Sequence, residues 1–210
     1  MTGLRDRKKQ QVRTNILTAA QEIFLQDGYA NTTIKKIAER CEIGVGTVYN
    51  YFASKGELFL AIFFDAMPEY LAEGQRVLDQ AEQYDPVSGT LELLTIYTRP
   101  FEDYPKALWR EIMGVSFGNI EESKLILSGF MDLDTRFLEQ MTALIERYRE
   151  RGMLPPDFQV AVAAECIYGS LMMLFMRYFY MEEYTMEQAF EGFRQTLDFL
   201  FRDRRPSEER

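Results

Sequence analysis

The chain of 210 residues contains no histidine and only two cysteines, Cys41 and Cys166. Histidine is the usual general base and the commonest metal ligand in proteins, and two cysteines so far apart in sequence cannot hold a metal ion alone. We therefore expect no enzyme, no metal site and no cofactor. So few cysteines, together with a charged N-terminus that has no apolar leader segment, predict a protein of the reducing cytoplasm.

Long hydrophobic runs are also scarce. The most apolar stretch is residues 160–176, which Glu165 interrupts and Arg177 follows. A membrane span needs roughly 20 apolar residues. We therefore predict a buried helix in this stretch, and no membrane partner.

Positive charge is in short supply over the whole chain, whose formal net charge is −9, but it is unevenly distributed. Residues 1–60 carry nine Lys or Arg against six Asp or Glu, a net charge of +3, and the remaining 150 residues carry 15 against 27, a net charge of −12. A basic end on an acidic body is expected when one end faces nucleic-acid phosphates and the rest does not.

What the sequence does contain is helical periodicity, without any strand pattern, so the predicted fold class is all-α. Near the N-terminus the apolar spacing predicts a helix over about residues 8–27, ended by Gly28 in the left-handed conformation. A second, short helix follows, which Thr32 or Thr33 caps and which ends near Arg40.

A tight turn at residues 41–44 separates this second helix from a third short helix at residues 45–51. Two short helices around such a turn predict a helix-turn-helix. Ser54 and Glu57 have the spacing of a capping box, which starts a fourth helix that Pro68 kinks or ends.

The rest of the chain keeps the helical pattern. Breaks are predicted at Asp85-Pro86, Arg99-Pro100, Tyr104-Pro105 and residues 152–156, where proline and glycine interrupt the periodicity. Thr185 and Gln188 predict a second capping box. The predicted helices cover residues 69–83, 87–98, 105–118, 121–151, 158–181 and 186–203.

Several short motifs lie at fixed spacing over about a quarter of the chain: Gly28-Tyr29, Thr32-Thr33, Ile37-Ala38, Gly46-Thr47-Val48-Tyr49-Asn50-Tyr51-Phe52 and Lys55-Gly56-Glu57-Leu58. Together they resemble the N-terminal domain of the TetR family of bacterial transcription regulators.

The resemblance implies an all-helical homodimer that binds double-stranded operator DNA. It assigns residues 1–52 to a three-helix DNA-binding domain and residues 53–203 to a larger helical domain for effector binding and dimerisation. A flexible tail is expected at residues 204–210.

A helix that enters the major groove needs small or polar exposed side chains. On this basis and by the resemblance, the predicted DNA-contacting residues are Thr33, Gly44, Val45, Gly46, Thr47, Tyr49, Asn50 and Lys55. The resemblance makes Tyr49 and Lys55 contacts to the DNA backbone, and Thr33 a backbone contact at the start of the second helix.

Alternatives remain open at several of these positions. Lys55 is otherwise a solvated surface lysine, and Gly46 is otherwise a glycine of the first helical turn. The family often has serine at position 44 and a polar residue at position 45, so a capping hydroxyl is lost here, and Val45 suits a thymine methyl group. The basic arm adds affinity for phosphates, enters the minor groove or is only a soluble tail; it consists of Arg5, Arg7, Lys8, Lys9 and Arg13.

Aromatic and thioether side chains concentrate in the second half of the chain, where they form either an ordinary core or a pocket for an apolar or amphipathic effector. The predicted ligand-binding residues are Phe101, Tyr104, Trp109, Met113, Phe117, Phe130, Phe137, Tyr168, Met172 and Met176.

The last two predicted helices are apolar over more than one face, so they either pack within the chain or form a homodimer through residues 158–203. The sequence therefore predicts a ligand-responsive transcriptional regulator, in its simplest form a repressor that binds a palindromic operator as a dimer. The alternative is a helical partner-binding or membrane-binding protein without operator specificity. An enzyme is a third hypothesis, but it lacks a nucleophile and base in the sequence.

Overall fold

The computed structural model of the chain describes residues 3–65, 67–118 and 120–202. Within these residues there are ten α-helices, one 3₁₀ turn at Ala81–Gln83 and no strand, which confirms the all-α prediction. The helices are α1 (Leu4–Asn31), α2 (Ile34–Arg40), α3 (Val45–Tyr49), α4 (Lys55–Phe63), α5 (Met67–Asp79), α6 (Pro86–Glu102), α7 (Lys106–Gly118), α8 (Ile120–Glu150), α9 (Val160–Tyr180) and α10 (Met186–Arg202).

The chain divides into two compact units. The first, called unit 1 below, combines the chain up to Met67 with the distant segment Ala107–Met131, and unit 2 combines Pro68–Lys106 with the chain from Asp132 onward. This division by packing differs from the predicted functional division after residue 52, which stays a prediction. The predicted tail at residues 204–210 lies outside the described residues.

The core of unit 1 is built on aromatic rings. Tyr29 stacks on Phe24 with ring centroids 5.6 Å apart, and Phe59 of α4 meets both rings edge-on. Trp109 of α7, which is fully buried, lies edge-on to Phe59 at 5.9 Å and to Phe63 at 5.0 Å. Because aromatic pairs in these geometries add stabilisation beyond their buried area, α7 is held firmly on α4.

Helix α1 is longer at both ends than predicted. It begins at Leu4, and it continues beyond Gly28 to Asn31 across a kink at that glycine, whose φ of 77° is left-handed. The Thr32 hydroxyl donates a hydrogen bond to the Gly28 carbonyl at 2.7 Å, while Thr33 accepts from the Lys36 amide and is the N-cap of α2. Gly28 was therefore correctly predicted as a break in helical geometry, but one further helical turn follows it.

In unit 2 the break predicted at Arg99-Pro100 is wrong. Helix α6 begins at the predicted Asp85-Pro86 break, with Asp85 as N-cap and Pro86 in its first turn, but it runs through Pro100 and ends at Glu102. Pro100 is buried near the C-terminal end of the helix. There a proline removes only one of the last backbone hydrogen bonds of the helix, so the packing of the buried turn outweighs its loss.

The connection between α9 and α10 is held by Lys106, whose ammonium donates hydrogen bonds to the carbonyl oxygens of Met181, Glu182 and Tyr184 at 2.7–3.1 Å. Helix α10 then starts with the predicted capping box. The Thr185 hydroxyl accepts from the Gln188 amide, and the Gln188 side chain accepts from the Thr185 amide.

Helix α9 is longer than the apolar run seen in the sequence. With 21 residues it is long and apolar enough to cross a membrane by length and composition alone, so its length does not by itself argue against a membrane span. One face of α9 is nevertheless buried within unit 2, including Ala164, Ile167 and Phe179. The buried face, rather than the length, is the argument for a core helix.

Candidate functional site

The helix-turn-helix has an ordinary geometry with one unusual residue. After α2, the Ile43 amide donates to the Ala38 carbonyl and the Glu42 amide donates to the Glu39 carbonyl, which is the Schellman arrangement of a helix end. Glu42 occupies the left-handed position of this motif with φ 55°, where glycine is commonest. The turn predicted at residues 41–44 is therefore present, but it is built on a strained glutamate.

Helix α3 has only five residues, and its inner side is anchored. Val48 and the following Phe52 are buried. Other residues of the same segment are exposed: Val45 is 40% exposed, Tyr49 is 52% exposed, and Asn50, the C-cap, is also exposed. Exposed large side chains on a helix this short are available to a partner molecule.

The two glycines at the start of α3 have open surroundings. A Cβ atom on Gly46 would meet nothing within 4 Å, and a Cβ atom on Gly44 would meet only the Thr47 hydroxyl, at 3.7 Å. Neither glycine has a positive φ. The fold itself therefore does not require glycine at position 46. Our prediction stays that glycine allows a partner molecule to approach the backbone closely there.

Lys55 is not a solvated surface lysine. Its ammonium donates a hydrogen bond to the Tyr29 carbonyl at 2.8 Å and lies 4.2 Å from the centre of the Tyr29 ring. The first residue of α4 is thereby tied to the last turn of α1. Its predicted contact with DNA stays a prediction, to which the structure adds a role in packing.

Ion pairing distinguishes two sets of basic residues in unit 1. Four pair with acids, since Lys36 binds Asp27 at 2.7 Å, Arg40 binds Glu22 at 2.6 Å, Arg13 binds Asp65 at 3.5 Å and Lys35 binds Glu39 at 3.8 Å. Four others have no ion pair among the described residues and lie exposed on the first turns of α1: Arg5, Arg7, Lys8 and Lys9.

The residues predicted to bind a ligand are not brought together in one place. Trp109 and Phe130 belong to the aromatic core of unit 1, where Phe130 lies 5.7 Å from Phe63. Met113, on α7, is half-buried in the same unit. The side chain of Phe117 lies outside the described residues.

The remaining predicted ligand residues are in unit 2, in two clusters. Phe101 contacts Phe175 at 4.4 Å and Phe179 at 5.9 Å, and Phe137 lies between Tyr97 and Tyr168 at 5.1 Å and 6.3 Å. Of the others, Tyr104 is buried, Met172 is half-buried and Met176 is 49% exposed.

The second cluster contains a carboxyl group. Asp134 is partly buried, and it accepts a hydrogen bond from the Tyr168 hydroxyl. Burial raises the pKa of Asp134 above its ordinary value, although this hydrogen bond acts in the opposite direction. Burial, followed by the interaction with Asp134, also raises the pKa of Tyr168.

Two spaces in unit 2 lie beside α6 and α10. One is a narrow apolar seam of about 10 Å³, lined by Leu94, Thr98, Phe175 and Phe193 among others. It has room for no more than one water molecule. The other is an open groove of about 660 Å³, which shares Phe190 with the seam and carries Glu92, Glu187, Glu191 and Arg194.

No pattern in the sequence indicates that α7 belongs to the same unit as the helix-turn-helix. Trp109 is predicted to line a ligand pocket but packs on Phe59 of α4, and Glu111 of the same helix binds Ala30 of α1. The local pattern reveals only that α7 is amphipathic, because contacts across 50 or more residues of sequence leave no periodic signal.

Comparison with known proteins agrees with this geometry. The family model described as "Bacterial regulatory proteins, tetR family" matches residues 16–62, which span the helix-turn-helix and most of α4. The chain belongs to the TetR family. It is therefore a DNA-binding transcriptional regulator.

Relatives of this TetR-family chain are regulators too. The transcriptional regulator UidR of Escherichia coli K12 is 28% identical over 159 residues, which are 75% of this chain and 76% of UidR. TcmR of Streptomyces glaucescens is 43% identical over 58 residues, 28% of this chain and 26% of TcmR. A crystal structure of the repressor FadR of Thermus thermophilus in complex with lauroyl-CoA matches with a TM-score of 0.64 and 20% identity, covering 94% of this chain and 97% of FadR, and shows the common fold.

Proposed function

We propose that this protein is a ligand-responsive repressor that binds a palindromic DNA operator as a homodimer in the cytoplasm and is released by a small apolar or amphipathic effector. The observation that carries the proposal is the exposed side of α3. Val45, Tyr49 and Asn50 project from a helix whose Val48 is fully buried, which is the arrangement of a recognition helix on a rigid base.

The contacts that we propose divide into two kinds. Val45, Gly46 and Thr47 face base edges, where Val45 would favour a thymine methyl group. Thr33, Tyr49 and Lys55 face phosphates, which position the helix without reading sequence. Gly44 and Asn50 complete the set at the two ends of α3.

The helical form of the N-terminal arm supports phosphate contacts over insertion into the minor groove. An α-helix with its side chains is about 10–12 Å wide, and the minor groove is about 6 Å wide. Arg5, Arg7, Lys8 and Lys9 therefore add salt-sensitive affinity along the backbone in our proposal.

Dimerisation through residues 158–203 is supported by an apolar stripe on α9 and α10. On α9 the exposed side chains of Val162, Cys166, Met173 and Tyr180 recur along one side of the helix. On α10, Phe199 is 80% exposed. An apolar groove of about 240 Å³ lies between the two helices, next to Val162 and Phe199. A second copy of the chain would cover these groups in a four-helix bundle.

An effector site in unit 2 is supported by its aromatic clusters. Phe101, Tyr104, Phe137, Tyr168 and Met172 remain the proposed contacts, since Trp109 and Phe130 are committed to the core of unit 1. FadR, which shares the fold, binds an acyl-CoA, an amphipathic molecule. The narrow seam of about 10 Å³ must widen before it admits such a ligand, so binding would select a different conformation of unit 2.

Release requires only that the effector prefers a dimer whose recognition helices have the wrong spacing. In the binding-competent dimer, the two copies of α3 should lie about 34–36 Å apart, one turn of B-DNA, or a small multiple of that distance. Effector and operator then weaken each other's binding by the same factor.

The test begins with selection of duplexes from a random pool by the full-length protein. We expect an enriched palindrome whose affinity falls with salt. Phe199→Asp should give a monomer in analytical ultracentrifugation and lower operator affinity. Glu191→Asn is the control, because Glu191 lines the open groove of about 660 Å³ between α6 and α10; it should leave the dimer and the operator affinity unchanged. Selection of no duplex contradicts the operator function, and a Phe199→Asp variant that stays dimeric contradicts the proposed interface.

A second function is favoured by helix α9, which has the length and composition of a membrane span and carries the exposed apolar stripe. A partner-binding or membrane-binding protein would place this stripe against lipid or another protein. Flotation of the full-length protein with liposomes, in the absence of any duplex binding, would support this alternative.

A further inference from the structure

The last turn of α1 is held from two sides. The Lys55 ammonium of α4 binds the Tyr29 carbonyl, and the Glu111 carboxylate of α7 accepts a hydrogen bond from the Ala30 amide at 2.7 Å. Glu111 lies 81 residues from Ala30 in sequence, but both belong to unit 1. Charge-assisted bonds of this kind are stronger than bonds between neutral groups.

The kink at Gly28 creates the place for this carboxylate. Its non-helical dihedral angles interrupt the regular α-helical ladder just before Ala30. A Cβ atom on Gly28 would lie 2.8 Å from Glu111 Oε1, closer than such atoms approach in proteins. The φ of 77° is what requires glycine here, and a Cβ atom at this position would also displace the carboxylate seated against it.

Helix α7 holds Glu111 in a fixed position. Leu108, Trp109 and Ile112 are buried in unit 1, and the Trp109 ring meets Phe59 and Phe63 of α4. A side chain on a docked helix defines the position of its hydrogen-bonding partner more precisely than a side chain on a loop.

The clamped turn leads directly to the candidate DNA contacts. Asn31, the last residue of α1, is two residues before Thr33, the N-cap of α2, and the Tyr29 carbonyl is the acceptor for Lys55 at the start of α4. A shift of the turn would therefore move Thr33 and Lys55 together.

We propose that Glu111 is a positioning residue for DNA binding: its carboxylate fixes the kinked end of α1 and so the placement of α2 and α4 on the duplex. This proposal rests on the proposed operator binding, but it assigns a part in DNA binding to a residue outside the predicted DNA-binding domain, residues 1–52. Glu111 is an acid that raises DNA affinity by geometry, whereas its charge alone would repel phosphates.

The test separates the length of the side chain from its charge, using full-length variants and a duplex selected by the wild-type protein. Glu111→Gln keeps the side-chain length and the acceptor oxygen but loses the charge. Glu111→Asp keeps the charge but is one methylene shorter. We expect Glu111→Gln to bind within about twofold of wild type, and Glu111→Asp to bind about tenfold more weakly, because a hydrogen bond to a charged group contributes stabilisation of about that order.

Glu39→Ala is the matched control, since it removes an exposed negative charge from the same unit; it should bind as tightly as wild type or slightly more tightly. The Ala30 amide proton in an NMR spectrum gives a second readout, which should shift in Glu111→Asp and stay near its wild-type position in Glu111→Gln.

Binding that follows charge, with Glu111→Asp like wild type and Glu111→Gln altered, overturns the positioning role. Equal affinity of all three proteins overturns it as well, whether or not the Ala30 proton shifts. If the wild-type protein selects no duplex, the operator function itself has failed, and the Ala30 proton then decides only whether the clamp exists.

Discussion

The Lys55 ammonium donates a hydrogen bond to the Tyr29 carbonyl oxygen at 2.8 Å and lies over the ring of the same tyrosine. This pair joins the start of α4 to the end of α1. We expect Lys55→Met, which keeps the aliphatic stem but lacks the donor, to lower the free energy of unfolding by about 1.5 kcal/mol. Denaturant unfolding measures this loss, and Lys35→Met, at an exposed lysine of α2, is the control.

The same variant tests whether Lys55 also binds DNA. A phosphate contact contributes about 0.9 to the slope of log affinity against log salt. Lys55→Met should therefore flatten that slope by about one contact, measured by fluorescence anisotropy with the selected duplex. A lower affinity with an unchanged slope would mean that Lys55 acts only through the Tyr29 carbonyl.

Gly46 gives a prediction in which stability and function move in opposite directions. Because a Cβ atom there would meet nothing within 4 Å, Gly46→Ala should raise the free energy of unfolding by up to about 1 kcal/mol. If α3 lies against base edges, the same methyl group should weaken operator binding about tenfold. Gly114→Ala in α7, equally open, should gain stability without losing affinity. Unchanged affinity in both variants would remove Gly46 from the DNA contacts.

Glu42 stores strain in the turn of the helix-turn-helix. A residue with a side chain in the left-handed conformation is disfavoured relative to glycine, so Glu42→Gly should raise the free energy of unfolding by about 0.5–1 kcal/mol. Glu39→Gly, within α2, should lower it by about the same amount. Thermal unfolding compares the two. If Glu42→Gly lowers the free energy of unfolding, the glutamate side chain makes a contact that stabilises the fold by more than the left-handed backbone costs.

Asp134 predicts a dependence of stability on pH. Its pKa is raised in the folded state, chiefly by burial, so the folded protein holds the proton more tightly than the unfolded chain does. Stability from this group is therefore present at low pH and is lost as the pH rises above the ordinary value of 3.8 through the folded pKa.

Asp134→Asn should accordingly be more stable than wild type at neutral pH, with a difference that shrinks on acidification. Thermal unfolding across this range measures the difference. Asp132→Asn, at an exposed neighbouring acid, should show no such trend. A constant difference between Asp134→Asn and wild type at all pH values would contradict the role of burial.

How much of the structure the sequence predicts depends on the range of the interactions. The caps at Ser54 and Thr185, the break at Gly28 and the short helices around the turn involve residues a few positions apart, and all were predicted. The continuation of α6 through Pro100 was missed, because buried packing overrides a local helix-breaking signal there.

The candidate site shows the same limit. The exposed side of α3 was predicted from its sequence motif. The clustering of Trp109 with Phe59 instead of with Phe137 could not be, since an aromatic residue on an amphipathic helix suits several cores equally well. The carboxylate at the α1 kink had no signal either, because glutamate on a helix usually faces water.

The inclusion of α7 in unit 1 limits which segments can be exchanged between regulators of this architecture. A fragment cut after Met67 would present Phe59 and Phe63 to water where Trp109 now covers them, and the Ala30 amide would lose its acceptor. A chimera that borrows the N-terminal segment of another regulator must therefore also inherit a compatible α7. In evolution, the N-terminal segment and α7 are therefore expected to co-vary, although they are far apart in the gene.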